Sequence, residues 1–343
     1  MKIHKIGHGL LVGFNVFLTI VLLLLLMSYY FELFNYIAVL SLFTPILVGL
    51  HFGFVLYWLA KRKRMALLSF TALIISYLVF GSFYRFNSQD NDLKNEDELK
   101  VLTFNVWGFN KNEWIKKPGI GDKIIEFIRD EDPDILCLQE HSRIRHRQLR
   151  QYPFRTETPI TGRPRATQVI FSKFPIVGNG SLELPNTVNN IIFADILVQK
   201  DTIRVYNVHL QSYKIVPNSN IITQEKQTKE TFKRIAETFD MQYDQAVKLD
   251  QHRKKCKYPT LIMGDFNNTQ FSNVYRTIRA NMKDSFLKQG KGIGRTYELF
   301  DLPMRIDYIF ADDNFKITGH KNYDVEYSDH YPIMASLRLE AYK

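Results

Sequence analysis

Three long apolar segments without a charged residue occupy most of the first 86 residues, at positions 10–31, 37–60 and 65–84. Each has the ~20 residues that an α-helix needs to cross the hydrocarbon core of a bilayer. A cleaved signal peptide contains one shorter apolar stretch, so three such segments favour retained spans. The alternative, buried helices of a soluble protein, fits these lengths poorly. The sequence therefore predicts a membrane domain of three transmembrane helices over residues 1–86.

The charges that flank these segments predict their orientation. Lys2 and Lys5 precede the first segment, four basic residues at 61–64 form the second loop, and the first loop carries Glu32 as its charge. Positively charged loops stay in the cytoplasm. We therefore expect an integral membrane protein with a cytoplasmic N-terminus, in which everything after residue 84 lies outside the cytoplasm.

The remainder of the chain is only mildly basic. The sequence has 45 Lys/Arg and 35 Asp/Glu, of which residues 1–86 hold seven and one, so 38 and 34 remain in 87–343. Such a balance permits a phosphate-bearing substrate without arguing strongly for nucleic acid. The two cysteines, Cys137 in an apolar run and Cys256 in a basic stretch, have no metal-binding spacing and do not indicate a disulfide.

Residues 87–98 are polar and acidic, which is typical of a flexible linker between a membrane and a domain. From residue 99 onwards, apolar runs of strand length are separated by Gly, Pro and Asn. The predicted strands lie at 100–105, 134–139, 167–172, 191–198, 202–210, 259–264, 305–311 and 332–339, and helical spacing occurs at 120–129 and 223–255. Many strands with interspersed helices, without strict alternation, predict one layered α+β domain over 99–343.

Polar side chains end, follow or precede six of these apolar runs. They are Asn105, Glu140, His209, Asp265, Asn267, Asp307, Asp329 and His330. Taken singly, most of them have an ordinary explanation as a turn residue, an exposed strand end or a half-buried histidine. Together they supply oxygen ligands, which Mg²⁺ or Mn²⁺ prefers, whereas a zinc site needs more His or Cys than this set offers. The set therefore predicts a hydrolytic site around a hard divalent metal.

These residues lie in six motifs that resemble those of the endonuclease/exonuclease/phosphatase superfamily, which has the deoxyribonuclease-I-like fold. The motifs are LTFNVW at 102–107, PDILCLQE at 133–140, NVHL at 207–210, GDFN at 264–267, RIDYI at 305–309 and SDHYP at 328–332. Any one motif is weak, whereas six in the family's order across residues 99–343 are very specific. The resemblance implies a four-layer α/β/β/α sandwich with its site at one edge of two packed sheets.

The resemblance also implies a metal site. Asn105 and Glu140 would hold the divalent cation, Mg²⁺ or Mn²⁺, and Asp329 would lie close to it. Two departures from the family's pattern concern the surroundings of the site: residues 163–169 replace a Gly/Asn-rich approach to the middle strand, and the insertion between 210 and 259 is long.

The remaining motif residues would handle protons and the phosphoryl group by the same resemblance. Asp307 would orient His330 toward the scissile phosphate, and Asp265 with Asn267 would position or activate the attacking water. His209 would donate a hydrogen bond to the developing charge or the leaving oxygen. The general base stays open between Asp265 and the pair of His330 with Asp307.

Other residues near the motifs are candidates for substrate contact. Arg143, Arg145 and Arg165 are predicted to bind phosphate, and a solvated charged face is an equal alternative. Trp107 and Trp114 could stack on a base or insert toward lipid headgroups, although packing is the default expectation for Trp107.

The leading hypothesis is a membrane-anchored, divalent-metal-dependent phosphoesterase that hydrolyses phosphodiester or phosphomonoester bonds by in-line attack of water. Its substrate would be nucleic acid, a phospholipid or sphingolipid headgroup, or a small phosphoester, and no obligate protein partner is evident. A non-catalytic binding module on the same fold is a competing hypothesis, which the retained metal and proton-handling residues oppose. Transport by the spans is a third, which the lack of charged residues within them opposes.

Overall fold

The computed structural model describes residues 2–31, 35–87, 98–160, 166–213, 225–299 and 301–340. The helices are α1 (Lys2–Tyr30), α2 (Asn35–Val39), α3 (Thr44–Ala60), α4 (Ala66–Phe80), α5 (Ile120–Glu131), α6 (Glu225–Lys254), α7 (Asn273–Arg279) and α8 (Ser285–Gln289). The strands are β1 (Leu99–Asn105), β2 (Ile135–Gln139), β3 (Phe154–Glu157), β4 (Val169–Ser172), β5 (Ile176–Leu182), β6 (Asn190–Val198), β7 (Asp201–His209), β8 (Thr260–Asp265), β9 (Lys283–Asp284), β10 (Tyr297–Leu299), β11 (Leu302–Met304), β12 (Asp307–Ala311), β13 (Phe315–Asn322) and β14 (Ile333–Leu339). Arg165 and most of the predicted linker lie outside the described residues.

The chain divides into two compact units. The helical unit comprises Met1–Phe83, Ile221–Asp240 and Thr269–Arg276, and the sheet unit comprises Tyr84–Asn220, Met241–Asn268 and Thr277–Lys343. The predicted division into a membrane domain (1–86), a linker (87–98) and a catalytic domain (99–343) remains a prediction.

In the helical unit, two stretches are long and apolar enough to cross a membrane, Gly7–Tyr30 and Ile37–Ala60. The third predicted span is shorter in the structure, because α4 has 15 residues and so measures about 22 Å, against a hydrocarbon core of ~30 Å. Gly81 follows α4 with a φ of 80°, which cannot continue a right-handed helix. The expectation of three full-length transmembrane helices is therefore corrected: two helices are long and apolar enough to span a membrane, and the third is shorter.

Polar side chains of the helical unit face inward, and much of its outward surface is apolar. Asn15, His51 and Ser69 are fully buried, and the Ser69 hydroxyl donates a hydrogen bond to Asn15 Oδ1 at 2.8 Å. Leu67 and Leu78, by contrast, are mostly exposed. The unit also buries apolar side chains such as Leu22 and Leu25, so its apolar outward surface is what distinguishes it from a water-soluble helical bundle.

Two six-stranded sheets form the core of the sheet unit. The first has the order β13-β14-β1-β2-β4-β3, and the second has the order β5-β6-β7-β8-β12-β9. Each sheet contains one parallel pair, β1 with β2 and β7 with β8, between antiparallel neighbours. Since parallel strands end at the same edge of a sheet, each sheet gathers the loops that follow its parallel pair at one edge.

The two sheets pack face to face, and helices cover their outer faces. Val101 of the first sheet and Val205 of the second belong to one buried apolar cluster between the sheets. On the other face of the first sheet, Ile124 of α5 packs in a second cluster. On the second sheet, the Tyr206 hydroxyl lies 2.7 Å from Nδ1 of His252 in the C-terminal half of α6. The predicted α+β class is confirmed, and the layers run helix, sheet, sheet, helix.

A buried amide network joins the two sheets. Asn207 of β7 donates from Nδ2 to the carbonyl oxygens of Leu138, at 3.0 Å, and Val169, at 2.9 Å, in the first sheet. Its Oδ1 accepts hydrogen bonds from Gln139 at 2.7 Å and Gln168 at 3.2 Å. All three amide side chains are fully buried, where an unpaired polar group is costly. The network therefore favours a single register of one sheet against the other.

Candidate functional site

The carboxyl ends of both parallel pairs carry predicted site residues in matching register. In the first sheet, Asn105 at the end of β1 pairs with Gln139 at the end of β2, and Glu140 follows. In the second sheet, His209 at the end of β7 pairs with Asp265 at the end of β8. Asn105 Nδ2 donates a hydrogen bond to Asp265 Oδ2 at 3.1 Å. The packing of the sheets thus brings both sets of strand ends together.

A glycine permits the close approach of β7 and β8 at this edge. Gly264 has a φ of 137°, and a Cβ atom there would lie 2.1 Å from the carbonyl oxygen of Val208. No other residue fits this position without moving the strands. The glycine of the GDFN motif therefore sets the position of Asp265.

Asp265 lies at the centre of the site. Its Oδ1 accepts the backbone N–H of Asn267 at 2.7 Å, and its Oδ2 accepts the side-chain amide of Asn267 at 3.3 Å. The Nε2 atoms of His209 and His330 each lie 3.6 Å from the same Oδ2. The carboxylate and both imidazoles are buried, so water screens their interactions weakly.

His330 is oriented by Asp307. Its Nδ1 lies 2.9 Å from Oδ2 of Asp307, which begins β12 opposite Asp265. The hydroxyl oxygen of Thr296 accepts the backbone N–H of Asp307 at 3.0 Å, and the ring of Tyr297 lies 5.0 Å from the His330 ring. With Nδ1 engaged by the carboxylate, Nε2 is the ring nitrogen that faces the site.

Burial and an excess of carboxylates shift the pKa values of this cluster. Burial raises the pKa of Asp307 to about 6, although His330 lowers it. Burial by itself lowers the pKa of His330, but Asp307, Asp265 and Asp329 together raise it well above its ordinary value. Burial also raises the pKa of Asp329. A buried group of carboxylates favours either protons or an added cation in its midst.

Glu140 is more open to solvent than the second-sheet residues. It has a φ of 51°, which is uncommon for a residue other than glycine, and its side chain is 37% exposed. Its Oε1 lies 3.4 Å from Asn105 Nδ2 and 3.9 Å from His209 Nε2, so the carboxylate keeps much of its capacity to bind a ligand. Ser328 Oγ lies 3.1 Å from Oδ1 of Asp329 and 2.8 Å from the Asn105 carbonyl oxygen.

The donors at this edge fit a hard divalent cation. Among the described residues, Asp265, Asp307 and His330 bring ligand atoms within 4.8 Å of one another. Asp307 and His330 are engaged with each other, whereas the Glu140 carboxylate, next to the side-chain amide of Asn105, lies beside the same buried negative charge. Oxygen donors of this kind suit Mg²⁺ or Mn²⁺.

The predicted phosphate-binding arginines have partners within the protein. Arg143 forms an ion pair with Glu157 at 3.0 Å. Arg145 pairs with Asp122, and this pairing lowers the pKa of the aspartate. Their charges are therefore partly neutralised, and phosphate binding by them remains a prediction.

Several supporting residues were not singled out by the sequence analysis. Thr296 immediately precedes β10, and Tyr297 is its first residue. Both lie outside any strong apolar run, so the sequence gives no signal for them. Ser328 and Gln139 belong to two of the motifs, next to residues that were singled out. Their position beside those residues was the available signal.

Solved structures of other proteins share this fold. A Bacteroides vulgatus endonuclease/exonuclease/phosphatase has 19% identity and a TM-score of 0.55, over 71% of this chain and 99% of that one. Humanized D. rerio TDP2 has 15% identity and a TM-score of 0.53, over 71% and 99%. The human Nocturnin catalytic domain has 17% identity and a TM-score of 0.52, over 71% and 95%. At these identities the likeness shows the fold alone.

Family models cover both parts of the chain. No curated protein matches it. Residues 8–83 match a domain of unknown function (DUF8431). Residues 102–330 match the Endonuclease/Exonuclease/phosphatase family, and this range contains every predicted site residue. The chain therefore belongs to the endonuclease/exonuclease/phosphatase family, whose members are hydrolases that act on phosphoester bonds and generally use divalent metals.

Proposed function

We propose that this protein is a membrane-anchored, divalent-metal-dependent phosphoesterase that hydrolyses phosphodiester or phosphomonoester bonds by in-line attack of water. The observation that carries the proposal is the position of Asp265, whose Oδ2 lies 3.6 Å from Nε2 of both His209 and His330. Glu140 places its carboxylate oxygens beside this cluster, where the side-chain amide of Asn105 hydrogen-bonds to both Glu140 and Asp265. A proton acceptor between two imidazoles, next to ligands for a cation, supplies the groups that phosphoester hydrolysis requires.

The side chains divide the work of the reaction. Asp265, held by both hydrogen bonds from Asn267, positions the attacking water, and either its carboxylate or the pair of His330 with Asp307 receives the proton. Asp307 fixes the His330 ring, which removes the need to orient it during the reaction. His209 Nε2 donates a hydrogen bond to the charge that develops on the phosphoryl or leaving oxygen.

The acidic edge of the first sheet would hold the metal. Glu140 and Asn105, with Asp329 close by, are the residues that fit Mg²⁺ or Mn²⁺. A bound cation at this edge would neutralise charge on the phosphoryl oxygens.

The test is a substrate panel with the purified full-length protein in detergent, with Mg²⁺ or Mn²⁺. The panel contains DNA, RNA, phospholipid, nucleotides and small phosphoesters; nucleic acid is included because D. rerio TDP2, which has the same fold, is complexed with single strand DNA product. We expect hydrolysis of at least one class, lost in Glu140→Ala and in His330→Ala. Asp201→Ala, which removes an exposed carboxylate at the opposite end of β7, is the matched control. Full activity in either site variant would overturn the assignment.

A phospholipid or sphingolipid headgroup is the second candidate substrate. The helical unit favours it, since Leu67 and Leu78 are exposed while Asn15 and Ser69 are buried. Membrane-embedded bundles tolerate this arrangement because lipid covers their apolar surface. Selective hydrolysis of the phospholipid in the panel would favour this class.

The same surface supports anchoring in a membrane, and the basic residues at 61–64 support an extracytoplasmic sheet unit. The placement of that unit depends on α4, which has 15 residues, crossing as the third span. Protease added to intact cells or spheroplasts is expected to cleave the sheet unit. Complete protection, with cleavage only after lysis, would reverse the proposed orientation.

A further inference from the structure

The loop that follows Asn105 presents two stacked indoles. The ring centroids of Trp107 and Trp114 are 4.2 Å apart, and the ring planes are 12° from parallel. Trp114 is nevertheless 45% exposed. A large aromatic side chain held in water beside a site is a candidate for contact with a ligand.

Hydrogen bonds connect this pair to the first-sheet edge of the site. The backbone N–H of Trp107 donates to Oδ1 of Asn105 at 3.1 Å. The N–H of Gly108 donates to the carbonyl oxygen of Glu140 at 2.9 Å. The loop is thus joined to both residues that would hold the metal.

The loop is also closed on itself. The Asn110 side chain donates to the carbonyl oxygen of Ile115 at 2.8 Å and accepts its N–H at 2.9 Å. Trp107, Phe109 and Asn110 all have positive φ values, between 44° and 57°, a conformation that persists only where the surroundings impose it. The indole of Trp114 is therefore held in place before any ligand arrives, which lowers the entropy lost on binding.

A groove of about 490 Å³ lies beside the same loop, between residues 108–111 and 142–148. The Lys111 side chain extends over Gly108, so that a Cβ atom there would lie 3.3 Å from it. Lys111 is exposed, and no ion pair joins it to another described residue. Arg145 on the opposite wall is paired with Asp122. Lys111 is thus the cation of this groove that is available to an anion.

The neighbours of Trp114 favour a base over a lipid chain as its ligand. Glu113, Lys116 and Lys117 are all exposed on the same loop. A loop that inserts into a bilayer has an apolar tip, because charged groups are costly to remove from water. Aromatic faces combined with cations are, in contrast, the usual means of binding nucleotides without base-specific hydrogen bonds.

We infer that Trp107, Trp114 and Lys111 form a nucleotide subsite, in which a base stacks on Trp114 and a phosphate group contacts Lys111. The inference rests on the proposed phosphoesterase function and narrows its substrate to a nucleotidyl phosphoester. Loss of a stacked aromatic side chain weakens base binding by roughly 5- to 150-fold in comparable sites.

Two substrates with the same leaving group test this subsite. The 4-nitrophenyl ester of thymidine 5′-monophosphate carries a base, and methyl 4-nitrophenyl phosphate does not. With the full-length protein, we expect kcat/KM to favour the thymidine ester, and Trp114→Ala to lower that preference by about 5-fold or more, with partial recovery in Trp114→Phe. Phe154→Ala, which removes an exposed ring at the far end of the first sheet, serves as the control.

The outcomes separate the two proposals. Failure to hydrolyse either ester, together with every other class of phosphoester, would overturn the proposed function. Hydrolysis of both esters with a preference that Trp114→Ala leaves unchanged would overturn the subsite alone. Lys111→Ala is expected to reduce the salt dependence of KM for the thymidine ester, relative to Lys200→Ala on the far turn between β6 and β7.

A binding measurement tests the subsite without catalysis. The chain has three tryptophans, so Trp58→Phe leaves the two stacked indoles as its fluorophores. In that variant, adenosine 5′-monophosphate is expected to quench the emission and ribose 5-phosphate is not. Quenching by brominated phosphatidylcholine in nanodiscs, without quenching by the nucleotide, would assign the indoles to the bilayer and overturn the inference.

Discussion

The first sheet delivers Asn105 and Glu140 to the site, and the second delivers His209 and Asp265, from parallel strand pairs in the same register. The second-sheet residues lie within their strands and are almost fully buried. Glu140 instead follows its strand in a left-handed turn, with 37% of its side chain exposed. Equivalent strand ends thus place their site residues differently: buried within the strand in the second sheet, and partly exposed after the strand, at Glu140, in the first.

The difference follows from the chemistry that each edge has to perform. Proton transfer needs groups fixed against one another in a dry environment, which the second sheet provides. A cation and a substrate need an open edge with oxygen donors, which the first sheet provides. Variants on the two edges should therefore fail in different ways.

The largest expected effect concerns the second sheet. His330→Gln and Asp307→Asn should each lower kcat by about 10³-fold, because they remove an oriented acid–base group. The Mg²⁺ concentration for half-maximal activity should stay the same. Steady-state kinetics over a Mg²⁺ series would measure both quantities. A changed Mg²⁺ concentration for half-maximal activity, with kcat retained, would contradict the assignment of proton transfer to the second sheet and metal binding to the first.

The next effect concerns the contact between the sheets. Asn207→Ala removes four buried hydrogen bonds between the sheets, so the free energy of unfolding should fall by about 3 kcal/mol. Chemical denaturation followed by circular dichroism would measure it. Asn179→Ala, at an exposed position on β5, should change stability by less than about 0.5 kcal/mol. Equal losses of stability in the two variants would show that the amide network does not stabilise the contact between the sheets.

A smaller effect is expected at the first-sheet edge. Glu140→Gln replaces a carboxylate with a neutral amide of the same shape, and should raise the Mg²⁺ concentration for half-maximal activity by about 10- to 100-fold. At saturating Mg²⁺ much of the activity should return. Asp201→Asn, an exposed change at the start of β7, should leave the titration unchanged. A loss of kcat that Mg²⁺ cannot restore would place Glu140 with the proton-handling groups.

The smallest expected effect is a pH dependence of stability that His320 causes and that is independent of catalysis. Burial lowers the pKa of His320 to about 4, so this histidine stays neutral in the folded protein while the unfolded chain takes up a proton below about pH 6.5. Stability is therefore full above that pH and falls as the pH drops toward 4. Between pH 7 and 5.5 the expected loss is about 1 kcal/mol, and His320→Gln should abolish that part of the slope. If the free energy of unfolding of the variant depends on pH as steeply as before, another group causes the dependence.

The sequence predicted the interior of the sheet unit better than its edges. All eight predicted strands have counterparts, because buried strands such as β1 and β8 are continuous apolar runs. Six strands were missed, β3, β5, β9, β10, β11 and β13. Four of them, β3, β5, β9 and β13, are the edge strands of the two large sheets, and β5 also contains Gly178 and Gly180. Edge strands face a partner on one side only and need less apolar sequence.

The site could be predicted as a set of residues but not as an arrangement. The polar residues at strand ends identified Asp265 and Glu140, because such positions stand out against an apolar run. Their different exposure depends on a left-handed turn after β2, and the stacking of Trp107 on Trp114 depends on the closure of a loop. The turn is held by a long-range hydrogen bond from the Gly108 N–H to the Glu140 carbonyl oxygen, and neither the turn nor the loop closure leaves a pattern of apolar residues in the sequence.

The central claim is that the two edges together form a metal-dependent phosphoesterase site. It is tested most directly by stripping the full-length protein with EDTA and then titrating Mg²⁺ while following hydrolysis of bis(4-nitrophenyl) phosphate. We predict no hydrolysis in the stripped protein and a saturable return of activity with Mg²⁺, absent from Asp265→Asn. Hydrolysis that persists in EDTA, or that survives in Asp265→Asn, would contradict the account.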